Sequence, residues 1–131
     1  MSTGSPAPAD HDPTFLRLSS DEGGDARFSE WRPTLRPEHP GQHELSVASP
    51  LAASSAVVVR APAGGGHPQQ PEASRQLVVL LSGSLDITAS GETRTLTAGD
   101  VVLVEDTSGR GHSSATRDGG IALMIALDPP T

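Results

Sequence analysis

Apolar and polar positions along this chain fall into short runs that alternate or are wholly apolar. Gly and Pro interrupt them almost throughout, which leaves no room for long helices. Ser55 to Arg60 is the first strong run. Gln76 to Leu81 (QLVVLL) follows and is stopped by Ser82-Gly83-Ser84. Leu85 to Thr88 and Glu92 to Thr97 flank a Ser90-Gly91 turn, the pattern of a β-hairpin. Asp100 to Glu105, His112 to Arg117 and Ile121 to Leu127 complete the series, and weaker strands are expected near Ala26–Trp31 and Glu44–Val47. QLVVLL and IALMIAL are apolar on both faces, so each is expected to be covered on both sides, by the interior and by a second sheet or a partner subunit. Many short strands with regular turn signals predict an all-β sandwich or barrel.

Two stretches read as connections. Leu35 to His43 is a Pro-rich crossing, and Ala61 to Ser74 is a long Gly/Pro loop. Residues 1–13 are small, polar or Pro-rich and are expected to form a disordered tail, leaving 14–131 as one domain.

Composition narrows the chemistry. The chain has no Cys, which removes disulfides, thiolate metal sites and Cys nucleophiles. All nine basic residues are Arg, so no Lys is present to form a Schiff base, and there is no Tyr. A net charge of −7 opposes binding to nucleic acid or to anionic membranes. No apolar run reaches the ~20 residues of a membrane span, and no secretory signal is visible. With the missing Cys, these features fit a cytoplasmic protein. The Ala, Gly, Pro and Arg content is like that of a high-GC bacterial genome.

Two segments carry a family resemblance. Gln76-Leu77-Val78-Val79-Leu80-Leu81-Ser82-Gly83 ends in the manner of the first cupin motif. Gly99 to His112, closing on Glu105-Asp106-Thr107-Ser108-Gly109-Arg110-Gly111-His112, resembles a lengthened second motif. Fifteen residues, Ser84 to Ala98, separate them. His67-Pro68 and Arg75-Gln76 add likeness to a group of small bacterial cupins. The resemblance implies an antiparallel double-stranded β-helix (jelly roll), commonly a homodimer, with a small-molecule pocket inside.

It also implies where chemistry would sit. Metal-dependent cupins place His-x-His and Glu in the first motif and one His in the second. Here the Glu position holds Gln76, the paired-His positions near Gln69–Glu72 hold no His, and His112 is retained. A reduced site from His67, Gln76 and His112 is the candidate for one divalent metal (Fe, Mn, Ni or Zn), with Glu72 or Glu105 as carboxylate help. His112 has three readings: metal ligand, general acid or base, or structural cap. Glu105 is expected near His112, raising its pKa, while Asp106 is read as a turn-maker; only one of these neighbours can face the pocket. An inward Gln76 would need a hydrogen-bond partner. Arg75, Trp31 and Met124 are candidate substrate contacts, with Trp31 a possible lid. His11, His39 and His43 are expected to be solvated. Ser113 cannot share a face with His112, which argues against a hydrolase triad.

The expected function is an enzyme that performs a non-oxidative tailoring step on a compact metabolite in bacterial secondary metabolism. Isomerisation, cyclisation, dehydration or decarboxylation fit. The alternatives are a non-catalytic small-molecule-binding cupin and a metal-dependent oxygenase.

Overall fold

A computed structural model describes residues 11–39, 41 and 45–130. The expected N-terminal tail lies largely outside the described residues, and so does His43. Among the described residues eleven strands follow one another: β1 (Phe15–Ser20), β2 (Ala26–Trp31), β3 (Arg36–Pro37), β4 (Ser46–Val47), β5 (Ala53–Ala61), β6 (Gly66–Gln70), β7 (Gln76–Ala89), β8 (Glu92–Thr97), β9 (Val101–Glu105), β10 (His112–Ala115) and β11 (Gly120–Leu127). Among the described residues no helix is long and apolar enough to cross a membrane.

The architecture is the jelly roll of a double-stranded β-helix. One layer runs β2-β1-β9-β7-β11-β5. The other runs β8-β7-β10-β6. β7 belongs to both, so the two layers form one folded sheet that is not closed into a complete barrel. The pairing is antiparallel except where β1 lies parallel to β9.

The long β7 differs from the two strands expected on either side of Ser82-Gly83-Ser84. Gly83 turns the strand from one layer to the other without ending it. Its φ is +77°, and a Cβ there would lie 2.0 Å from the Gly119 carbonyl oxygen, so only glycine permits the bend this close to the neighbouring chain. β6 is also new, since it lies within the stretch read as a loop. It contains Pro68 and has no apolar position, and only its pairing with β10 makes it a strand. Proline is tolerated there because β6 is an edge strand, where a missing N–H costs no ladder bond.

Strand alternation builds the core. Val78 and Leu80 of β7, Val102 and Val104 of β9, Leu18 of β1 and Ala122 of β11 point inward and are buried together with Ile87, Ala89 and Leu96. Fully burying a side chain such as Leu18 or Val102 contributes roughly 1.5–3 kcal/mol. Most outward positions of these strands and of β5 are only partly covered within one chain, although Leu103 of β9 is buried. Leu77, Val79, Leu123 and Ile125 are half-buried, while Leu81 and Val58 stay exposed.

Candidate metal centre

Between the two layers lies a cavity of about 430 Å³. Val78, Leu80, Ile87, Val104, Ala122 and Met124 supply apolar wall, and His67, Glu72 and His112 form a polar cluster on it. Three different stretches deliver that cluster. β10 begins on His112, which is 3% exposed. β6, drawn alongside β10, brings His67 opposite Ser114. The turn after β6 places Glu72, whose backbone N–H donates to the Asp106 carbonyl at 3.0 Å.

Ligand-type atoms of His67, Glu72 and His112 all lie within 4.8 Å of one another. Nε2 of His112 is 3.3 Å from Oε1 of Glu72, and Nε2 of His67 is 3.7 Å from the same oxygen. The two rings meet edge to face, with centroids 4.9 Å apart. Each donor is fastened from behind. Nδ1 of His67 lies 2.8 Å from the Pro68 carbonyl, and because a carbonyl only accepts, that nitrogen carries the hydrogen. Nδ1 of His112 is 2.5 Å from Oδ2 of Asp106. Oε2 of Glu72 accepts from Nε2 of Gln76 at 2.7 Å. Both Nε2 atoms and Oε1 are thereby turned toward one point, the arrangement in which metal-binding imidazoles are held by their other nitrogen.

The charges fit a dication as well. With Asp106 and Glu72 ionised and both rings neutral, the cluster carries two negative charges around buried or half-buried atoms, and buried charge requires a counter-charge. A divalent metal held by His67, Glu72 and His112 would balance it.

Without metal, a proton takes over part of that role. Burial, the strongest single influence, favours the neutral His112 ring. Hydrogen bonds to Asp106 and Glu72, with the attraction of their charges, outweigh it and push the pKa from 6.5 up to about 9. The bond from His112 is in turn the main cause that holds the Glu72 carboxyl below its ordinary value, against the opposing effect of burial. Because the folded chain binds the His112 proton more tightly than the unfolded chain, the stability this provides is complete below pH 6.5 and is lost as pH rises through about 9. The metal-free protein is expected to lose a few degrees of Tm across that window, and His112→Gln to flatten the slope. A wild-type melting temperature constant across it would contradict this account.

The remaining expected site residues divide clearly. Met124 is cavity wall. Gln76 shares the inward phase of Val78 and Leu80, and its partner is Glu72, so it stands behind the cluster and Glu72 takes the donor place assigned to it. Glu105 corrects the expectation outright. Val102 and Val104 face inward, so alternation sends Glu105 to the other face, where it accepts from Arg17 Nε at 2.6 Å and Arg75 Nε at 2.7 Å. Burial raises its pKa, but the two guanidinium bonds together hold it below the ordinary carboxylate range. Arg75 is committed to Glu105 and to the Asp128 carbonyl and is not cavity wall. Trp31 packs against Phe15 at the far strand β2, away from the cavity wall, and does not form a lid. His39 is exposed beside Glu38, and His11 is exposed. The carboxylate that meets His112 from its own loop is Asp106. No local signal singles it out, since Val101, Val102, Leu103 and Val104 are all apolar and leave the inward phase of the strand open.

Comparison with known proteins agrees with this architecture. The family model of the EutQ-like cupin domain matches residues 48–120, more than half of the chain. The chain belongs to the EutQ-like cupin family. No curated protein matches it in sequence. Among solved structures, this cupin is similar to an RmlC-like cupin from Shewanella frigidimarina, with 15% identity and a TM-score of 0.50 over 97% of this chain and 93% of that one. A cupin protein from Bacteroides fragilis is 22% identical, with a TM-score of 0.49 over 62% of this chain and 70% of that one. A conserved protein of unknown function from Streptococcus pyogenes is 17% identical, with a TM-score of 0.47; the match covers 58% of this cupin and 65% of that protein.

Proposed function

We propose that this cupin binds a compact, largely apolar organic molecule with its polar end at a divalent metal held by His67, Glu72 and His112, and that it carries out a non-oxidative step on that molecule. Isomerisation, cyclisation, dehydration and decarboxylation are the reaction types that suit such a pocket. The supporting observation is the convergence of three fastened donor atoms on the wall of an apolar cavity. A metal bound there supplies a Lewis acid that polarises a carbonyl or acidifies a water. The chain's own groups do the rest. The wall of Val78, Leu80, Val104 and Met124 orients the apolar body and excludes water. Gln76 holds one oxygen of Glu72 so that the other is presented. Three donors leave coordination positions open for a ligand.

One observation favours a second reading. Two imidazoles and one carboxylate are also the donor set of non-haem iron oxygenases. The two readings part on dioxygen. Protein reconstituted separately with Fe, Mn, Ni and Zn and washed free of excess metal is expected to retain one ion per chain with at least one of them. His67→Ala and Glu72→Gln should each lower that retention. Candidate small ligands are then followed with an oxygen electrode. Product without oxygen uptake supports the non-oxidative reading, and stoichiometric uptake supports the oxygenase. Failure of all four metals to bind would overturn both and leave a binding protein.

A further inference from the structure

The three donors of the candidate centre come from separate stretches of chain, and one residue outside the set touches two of those stretches. Asp106 is fully buried, at 0% exposure. Its carboxylate Oδ2 meets Nδ1 of His112 at 2.5 Å, and its carbonyl accepts the backbone N–H of Glu72 at 3.0 Å. The turn that follows does not depend on its side chain, since Thr107 N–H donates to the Glu105 carbonyl. The side chain's one hydrogen-bond partner is His112, and its other oxygen, Oδ1, is buried with no partner among the described residues. A carboxylate placed this way is costly for a turn and is explained by what it does to the imidazole.

We propose that Asp106 is the positioning residue of the metal centre: it fixes the His112 ring with Nε2 toward the cavity and contributes the second negative charge that matches a dication. The inference rests on the metal reading above. Asp106 touches neither cavity nor metal and acts only through His112. The same residue anchors Glu72 through its main chain, a contact that side-chain substitution leaves in place. A variant therefore isolates the effect on His112.

The test is a cobalt(II) titration against a competing chelator, on wild type, Asp106→Asn, His112→Ala and the double variant. Asp106→Asn keeps the shape and removes the charge. It is expected to weaken cobalt binding about 10- to 100-fold. In the His112→Ala background the same change is expected to alter affinity less than about twofold, because a residue acting through His112 has nothing left to act on. Equal losses in both backgrounds would mark Asp106 as a general structural residue and overturn the proposal, as would an unchanged affinity in the single variant. Nitrogen-15 NMR of the wild-type imidazoles reads the same point without any variant. Zinc-loaded protein should show His112 protonated at Nδ1 and metal-bound at Nε2, and the reverse arrangement refutes the positioning role. Should wild type take up no metal, the functional reading falls. The positioning role is then judged on the metal-free protein, where the His112 Nδ1–H signal must be present and must shift in Asp106→Asn.

Discussion

His112→Ala protein is expected to melt below the wild type and to gain far less from added metal. Wild type, by contrast, is expected to be stabilised by about 2.7 kcal/mol at a metal concentration 100 times Kd, roughly 10 °C for a domain of this length. Two separate causes act in the variant. One is loss of a donor: His112 supplies a nearly buried Nε2 beside Glu72 Oε1, and the two remaining donors, one of them on the half-buried His67, hold a divalent ion poorly. The other is the stranded Asp106 carboxylate, wholly buried and deprived of its side chain's one hydrogen-bond partner. Removing one member of a buried pair costs on the order of 3–5 kcal/mol. Thermal melts with and without zinc separate the two, because the first governs the metal-dependent rise and the second the metal-free baseline. Glu105→Gln is the control. Its carboxylate bonds Arg17 and Arg75 on the opposite face, so that variant should keep the full rise with metal. A His112→Ala protein that still gained wild-type stability from zinc would place the metal elsewhere.

Gly111→Ala is expected to be at least as damaging, although residue 111 donates nothing to the site. Its φ is +73°, and a Cβ there would stand 2.1 Å from the carbonyl carbon and oxygen of Gln70 and 2.2 Å from the Pro71 nitrogen. Those are backbone atoms and cannot swing aside as a flexible side chain would. Either the strand end before Glu72 or the segment entering β10 must move. His112 follows the glycine directly and Glu72 follows Pro71, so either movement separates the donors. A loss on the order of 3 kcal/mol or more is expected from the urea unfolding midpoint, together with lost metal retention. A wild-type midpoint with full metal content would show that the close approach of these two segments is not what holds the site.

What was readable without coordinates was whatever rests on local pattern. Val57-Val58-Val59, QLVVLL, DVVLVE and IALMIAL announce strands because β-branched and apolar runs between turn residues fit a pleated, buried surface. They were enough to predict an all-β sandwich or barrel; the jelly roll and the place of His112 came from the resemblance of the two motif segments to cupins. The hidden parts have no local signal. β6, Gly66-His67-Pro68-Gln69-Gln70, contains no apolar residue and is a strand only through its bonds to β10, yet it carries His67 into the cluster. Gly83 reads as a stop and acts as a bend, because whether a glycine ends or turns a strand depends on what lies beside it, here the Gly119 carbonyl.

Glu105 and Asp106 show most directly where sequence reasoning ended. Their alternation was legible, and it dictated that one of the pair faces in. Which one depended on the inward phase of β9, set by packing Val102 and Val104 against Leu18 of β1 and Val78 of β7. The sequence by itself determined the strands, the absence of Cys and Lys chemistry, and the presence of one well-placed histidine. The tertiary structure alone decided that Glu72 and not Gln76 or Glu105 joins the two imidazoles, and that Asp106 stands behind them. A donor set is a meeting of side chains from distant stretches, and only the packed sheet fixes which of them meet.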